Sequence, residues 1–106
     1  MNERPIPEAA IRDKHSVEML RVWIAERGLH CSMKVGMYFE KTHISEEKAW
    51  GVLLADITRH LASALEEGYS LRKLDVLNEI RQSYLEELHT PTSEVEGAFV
   101  GKSASP

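Results

Sequence analysis

The chain has 106 residues, with 13 basic and 17 acidic side chains and a formal net charge of −4. This length suits one domain around a single core, and a hydrophobic fraction of 42% excludes a wholly disordered chain. The negative net charge argues against nucleic-acid binding, which requires a basic surface. The single cysteine, Cys31, cannot form an internal disulfide, so a cytoplasmic location is expected. No apolar run is long enough for a signal peptide or a membrane span, so no membrane association is expected.

The two ends of the chain are polar. Residues 1–15 contain two prolines and are expected to form an arm with one helical turn at Pro7–Ile11. Residues 90–106 begin with a proline stop signal and are rich in Gly, Ser, Ala and Glu, which predicts a flexible tail. Within that tail, Ala98–Val100 could dock as a small apolar clip. The folded domain is therefore expected over residues 16–89.

Alternating apolar residues between Glu18 and Val35 predict a β-hairpin. A four-residue loop, Ala25–Gly28, is expected between the strands, with Gly28 supplying a positive φ. This loop length makes one face wholly apolar through three pairs: Ile24 with Leu29, Val22 with Cys31, and Leu20 with Met33. A helix over Ser16–Arg27 is the competing prediction, because several apolar residues there also fit helical spacing.

The next segment carries the pattern of an amphipathic helix. Ser45 is a suitable N-cap, Glu46 and Glu47 suit the positively polarised first turn, and Gly68 is placed as the C-cap. The apolar residues cover about a third of the helical wheel. They are Trp50, Leu53, Leu54, Ile57, Leu61, Ala64 and Leu65.

A second helix is predicted from an N-cap at Ser70 to about His89. Its apolar residues cover about half of the wheel, which is more than one neighbouring helix requires. They are Leu71, Leu74, Leu77, Ile80, Tyr84, Leu85 and Leu88. Asn78 and Arg81 interrupt this broad stripe.

These elements predict an α+β fold with two layers, in which the hairpin packs against two antiparallel helices. A two-stranded sheet is marginal alone and leaves open edges. The sheet is therefore expected to be extended, either by a strand near Met37–Phe39 or by a second copy of the chain. The broad stripe on the last helix favours the second copy, so a homodimer is predicted.

A small-molecule or metal site could form around Asp56, His60 and Arg81. Asp56 and His60 are four residues apart on one helix, a spacing that lets a carboxylate hold and charge an imidazole. Arg81 lies in an apolar arc and would need a buried carboxylate partner or an anionic ligand. The alternatives are a surface Asp–His pair and an arginine whose guanidinium extends into water. These alternatives are favoured.

Trp23, His30 and Tyr84 are candidate interface residues. Trp23 and His30 face each other across the predicted hairpin, on the side away from Val22. An exposed tryptophan there could anchor a partner, while cross-strand packing within the hairpin is the alternative. Tyr84 belongs to the broad stripe of the last helix.

Other chemical motifs are weak or absent. Glu86–His89 contains one Glu-x-x-His spacing, whereas di-iron bundles use two copies with further inward carboxylates. The five histidines are scattered, and no phosphate-binding glycine loop or nucleophile elbow occurs. No catalytic residue, metal ligand or cofactor is therefore predicted, and Cys31 is expected to be a small apolar residue of the hairpin.

Several blocks of the sequence resemble a known family. They are Glu18–Ala25, Gly28–Ser32, Gly36–Tyr38, Ala49–His60, the arm motif Pro5–Pro7 and the tail segments His89–Ser93 and Gly97–Val100. Together they resemble a small proteobacterial family known as domain of unknown function 5076. The resemblance implies a bacterial cytosolic protein without an assigned activity, and it carries over no site residues.

The leading expectation is a homodimeric protein-interaction or scaffold domain without catalytic activity and with an unidentified protein partner. The alternative is a binding protein or enzyme that uses the Asp56, His60 and Arg81 site. A third possibility, nucleic-acid binding, would require one basic patch. Its members would be Arg59, Arg72, Lys73 and Arg81.

Overall fold

A computed structural model describes residues 1–92 and the backbone of residues 95–100. The elements in chain order are α1 (Glu8–Arg12), β1 (Leu20–Ala25), β2 (Gly28–Lys34), α2 (Met37–Lys41), α3 (Glu46–Tyr69), α4 (Lys73–His89) and β3 (Val95–Val100). The predicted α+β class is confirmed. Two parts of the expected tail, residues 93–94 and 101–106, lie outside the described residues.

The hairpin has the predicted register. Val22 pairs with Cys31, and the flanking pairs are Leu20 with Met33 and Ile24 with Leu29. The competing helix over Ser16–Arg27 is therefore wrong. The alternation of apolar residues determines the register, because a shift of the strand pairing by one residue would place polar side chains on the apolar face.

The turn of the hairpin differs from the prediction. Ala25 pairs with Gly28, so the loop has two residues rather than four. Glu26 and Arg27 have φ values of 51° and 64°, as in a type I′ turn. Gly28 is part of strand β2 and does not supply the positive φ. The turn thus places two ordinary residues in the left-handed region that Gly and Asn favour.

The third strand also differs from the prediction. The segment Met37–Phe39 lies in helix α2, which follows Gly36 at a φ of 103°. Instead, β3 pairs in parallel with β2, giving the strand order β1-β2-β3. The segment expected to be a flexible tail therefore contributes a strand over Val95–Val100. The connection from β2 to β3 runs through the helices, as a parallel pair requires.

Helix α3 begins as predicted and ends later. The Ser45 hydroxyl accepts the backbone N–H of Lys48 at 3.2 Å, which confirms the N-cap. Gly68 lies inside the helix, and the C-cap is Ser70 in the left-handed conformation. Ser70 was predicted to begin the next helix, but its backbone N–H instead bonds to the Glu66 carbonyl at 3.0 Å.

Helix α4 begins at Lys73 without a side-chain cap from Arg72. The missing cap comes from α3, because the Glu66 carboxylate accepts the backbone N–H of Lys73 at 3.1 Å. One carboxylate thus satisfies an N-terminal donor of the neighbouring helix. This long-range cap explains why α4 starts three residues later than Ser70.

The two long helices pack as an antiparallel hairpin and bury small residues. Ala62 is fully buried, and Ala49 and Val76 are 9% and 8% exposed. These three form the buried hydrophobic core of the described residues. Larger apolar residues remain partly exposed in both the sheet and the helices, so residues 1–92 bury little of their apolar surface. None of the described helices is long and apolar enough to cross a membrane.

Candidate functional site

The second half of α4 is uncovered. All residues from Arg81 to His89 are exposed, whereas Val76 in the first half is buried. Tyr84, Leu85 and Leu88 keep 51%, 54% and 64% of their surface exposed. These three residues lie on one side of the helix and are called the α4 stripe below. The candidate interface residue Tyr84 therefore lies within an open apolar stripe.

Helix α3 carries a second open stripe. Leu54, Ile57 and Leu61 follow helical spacing and are 37%, 45% and 48% exposed. They are called the α3 stripe below. The contact with α4 buries Ala62 rather than these larger residues. The apolar face predicted for α3 is thus only partly used within the chain.

Strand β1 leaves apolar side chains exposed near the turn. Val22 and Ile24 are 48% and 83% exposed, so the helices do not cover this part of the sheet. Trp23 pairs with His30 as predicted, and both are half-buried. A ring nitrogen of His30, Nε2, lies 3.1 Å from the Ala25 carbonyl oxygen. Two of the predicted interface residues are therefore adjacent, while Tyr84 lies on a separate element.

The N-terminal arm is held against β1 by Arg21. Its guanidinium lies 2.8 Å from the Glu3 carboxylate and 2.9 Å from the Glu18 carboxylate. The hydrogen bond and charge of Glu18 are the main causes that raise the pKa of Arg21. Between arm and strand runs a groove of about 720 Å³, called the β1 groove below. It is lined by residues 2–7 of the arm, by 10–11 and 16–18, and by the consecutive residues 20–23 of the strand.

A smaller groove lies between α3 and the start of α4. It contains Asp56 and His60, so the structure brings two of the three predicted ligand-binding residues together. Arg81 is not among the lining residues, and within residues 1–92 it makes no ion pair. The other lining residues are Arg59, Ser63, Lys73 and Leu77.

The chemistry of this helical groove is that of an exposed polar surface. Asp56 lies 3.8 Å from Arg59, and their side chains are 66% and 77% exposed. Such a pair contributes only a few tenths of a kcal/mol. Within the described residues, no three His, Cys, Asp or Glu side chains are grouped to hold a metal ion. The groove presents more positive than negative charge, which suits a small anion better than a cation.

Glu46 forms the most connected polar site of the described structure. Its carboxylate accepts the backbone N–H groups of Gly36 at 2.9 Å and of Tyr38 and Phe39 at 3.0 Å. It also accepts the indole N–H of Trp50 at 2.8 Å. These bonds, led by that from Gly36, lower the pKa of Glu46. The sequence predicted Glu46 only as a residue in the first turn of α3, because its three backbone donors lie at the start of α2.

The comparisons with known proteins give a family and a solved structure with a similar fold. The sequence profile of a domain of unknown function, DUF5076, matches residues 3–92. A solved structure from the photosynthetic bacterium Rhodopseudomonas palustrus CGA009, described as a candidate pyruvate dehydrogenase, is 23% identical, with a TM-score of 0.62. The alignment covers 89% of this chain and 90% of that one. No match to a curated protein was found.

At 23% identity, the solved structure demonstrates a shared fold and nothing more. The family profile is more informative, because it spans the arm, the hairpin and all the helices. The resemblance noted from the sequence blocks is confirmed by that match. The chain belongs to the DUF5076 family of domains of unknown function.

Proposed function

We propose that this protein is a homodimeric interaction or scaffold domain without catalytic activity. The observation that carries the proposal is the surface area of the isolated chain. The chain exposes 9416 Å², whereas a compact monomer of its mass exposes about 6,000 Å². The excess is an area that a second copy could cover.

The excess of exposed area remains when all residues of undescribed exposure are counted as fully unfolded chain. Fourteen residues of unfolded chain, the number in 93–106, expose about 2,200 Å², which still leaves roughly 1,200 Å² per chain. Obligate homodimers bury about 2,000–5,000 Å² in total. A dimer in which each copy covered this excess would bury a total area inside that range. A second copy is therefore an occupant of suitable size for the open apolar surface.

The dimensions of the chain support the same proposal. Its radius of gyration is 15.8 Å, compared with about 13 Å for a compact domain of this length. The α3 and α4 stripes and the exposed side chains of β1 supply the apolar area. Exposed apolar surface of this extent is typical of an interaction surface. A bacterial cytosolic location is part of the proposal and agrees with the unpaired cysteine, Cys31.

The test is the mass in solution of the wild type and of two glutamate variants on α4. Leu85→Glu places a charge in the α4 stripe and should weaken the dimer strongly, because an unpaired charge would be buried. Ser83→Glu is the matched control on another side of the same helix and should remain dimeric. A monomeric wild type at micromolar concentration would overturn the proposal.

A second candidate function is binding of a small anion in the helical groove. It is favoured by the convergence of His60, Arg59 and Lys73 beside Ser63. The structural relative is described as a candidate pyruvate dehydrogenase, so pyruvate is a suitable probe, with phosphate as a second. Saturable chemical-shift changes at these residues, abolished by Arg59→Ala with His60→Ala, would support it. Unchanged spectra at millimolar probe would exclude it.

A further inference from the structure

Strand β1 forms an open edge of the sheet. The strand order is β1-β2-β3, so among the strands that the structure describes β1 has a neighbour on one side only. The backbone N–H of Lys34 bonds to the Met19 carbonyl at 2.9 Å, which fixes the direction of the ladder. Since ladder bonds alternate along an antiparallel pair, the backbone groups of Arg21 and Trp23 point to β2. Those of three other residues point outward: Leu20, Val22 and Ile24.

The outward groups of β1 are unpaired within the described residues. The β1 groove follows this edge, because its wall includes four consecutive residues, 20–23, whose side chains alternate between the two faces of the sheet. A groove on one face would be lined by alternate residues only. The space beside β1 is therefore next to backbone donors and acceptors, and the N-terminal arm forms its outer wall.

The sequence of β1 lacks the usual protection of an edge strand. Such strands carry prolines, bulges or several charges that prevent pairing with another chain. The strand Leu20–Ala25 contains one charged residue, Arg21, and no proline. Arg21 is itself held by Glu3 and Glu18. The sequence of β1 thus does not prevent pairing with another strand, but the arm that Glu3 and Arg21 hold beside this edge must move aside for a partner strand to pair with it.

We propose that β1 pairs antiparallel with β1 of a second copy, across a two-fold axis at Val22, to give a continuous six-stranded sheet. This inference rests on the proposed homodimer and names how the two copies meet. In this register Val22 lies opposite the partner's Val22, and Leu20 lies opposite the partner's Ile24. One face of the new pair is then entirely apolar, and the exposed side chains of Val22 and Ile24 gain neighbours.

The other face of the pair is complementary as well. Arg21 lies opposite the partner's Trp23, where the guanidinium can stack on the indole. A register centred on Arg21 would place two guanidinium groups opposite each other, which is destabilising. A register centred on Trp23 would place Leu20 opposite the partner's Glu26 in the turn. The axis at Val22 is therefore favoured by charge and by hydrophobic pairing.

A proline substitution tests the outer edge of β1 without removing a hydrogen bond between β1 and β2. The N–H of Val22 points outward, so Val22→Pro removes no bond to β2, and proline is tolerated at such positions of edge strands. We expect a folded protein with the circular dichroism of the wild type and a dimer weakened about 100-fold or more. Val22→Thr is the control, since it keeps the N–H, and it should remain dimeric. A folded Val22→Pro dimer of unchanged affinity would overturn the inference.

A cross-linking experiment decides the question if Val22→Pro fails to fold. In a Cys31→Ser background, Val22→Cys would place two thiols on opposite residues whose Cα atoms are about 5.5 Å apart, within disulfide range. Mild oxidation should convert most of the protein to a covalent dimer, whereas Glu40→Cys in the same background should not cross-link. Absence of the covalent dimer from a protein that is dimeric by mass would overturn the inference and leave the homodimer standing. A monomeric wild type would overturn both.

Discussion

The Glu46 carboxylate and the Gly36 backbone N–H are joined by a 2.9 Å hydrogen bond across ten residues of sequence. The same carboxylate holds the backbone N–H groups of Tyr38 and Phe39 and the indole of Trp50. One side chain therefore caps helix α2 and ties it to α3. The cap fixes the chain direction where it leaves the sheet and enters the helices.

Loss of the Glu46 charge should lower the stability of the fold. In Glu46→Gln, the amide oxygen can replace only part of the acceptor capacity, so several backbone donors of α2 lose a partner. We expect a clear fall in melting temperature at pH 7. Glu79→Gln, an exposed change in the middle of α4, should have little effect. Equal melting temperatures for the two variants would contradict the capping role.

The effect of Glu46 should depend on pH in one direction. The pKa of Glu46 is lowered in the folded state from its ordinary value of 4.5, so the carboxylate stabilises the fold above that value. This stabilisation is lost as the pH falls from 4.5 through the lowered folded pKa. The melting-temperature difference between wild type and Glu46→Gln should be full at pH 7 and shrink below 4.5. A difference that grows on acidification would contradict the assignment.

Gly36 is required by its backbone conformation. Its φ is 103°, and an added Cβ would lie 3.0 Å from a carboxylate oxygen of Glu40. Gly36→Ala should destabilise the fold by about 1–3 kcal/mol, measured by urea unfolding. Gly51→Ala is the matched control, because its Cβ would have no neighbour within 4 Å and alanine favours a helix. A neutral Gly36→Ala would show that the turn before α2 can relax.

The hairpin turn can be improved. Glu26 and Arg27 occupy the left-handed region at some energetic cost, whereas Asn-Gly is the favoured pair for a type I′ turn. The double variant Glu26→Asn with Arg27→Gly should stabilise the protein by about 1 kcal/mol. The control, Glu26→Asn with Arg27→Pro, should destabilise it, because proline cannot adopt positive φ. Urea midpoints in the opposite order would show that another turn type is present.

The contact between the long helices depends on a small residue. Ala62 is fully buried, so Ala62→Leu should overpack the contact and cost about 1–3 kcal/mol. The control is Ala64→Leu, an exposed position two residues along the same helix, which should be close to neutral. A stabilised Ala62→Leu variant would indicate that α3 and α4 are packed differently.

The sequence pattern correctly predicted those parts of the fold that depend on residues close together in the chain. Alternation gave the pairing of Val22 with Cys31, and the capping hydroxyl of Ser45 gave the start of α3. The same reasoning was wrong at Ser70, because its left-handed backbone ends α3 and a carboxylate from Glu66 caps α4 instead. Met37–Phe39 has the composition of a strand, but the positive φ of Gly36 and the Glu46 cap make it helical.

The candidate site residues could likewise be placed from the sequence only where their positions depend on a single element. The four-residue spacing of Asp56 and His60 on one helix was sufficient to place them in one groove. Arg81 could not be placed, because its position relative to that groove depends on how α3 and α4 pack. The open edge of β1 could not be predicted either, because the third strand comes from a segment expected to be a flexible tail. That strand pairs with β2 and leaves β1 at the edge.

The mass of the wild-type protein in solution tests the central claim most directly. Native mass spectrometry of the protein as isolated reports the oligomeric state and any retained ligand together. The account predicts a dimer of bare 12.0 kDa chains at micromolar concentration. A single chain of 12.0 kDa would contradict it, because the open stripes and the free strand edge would then have no second copy to cover them.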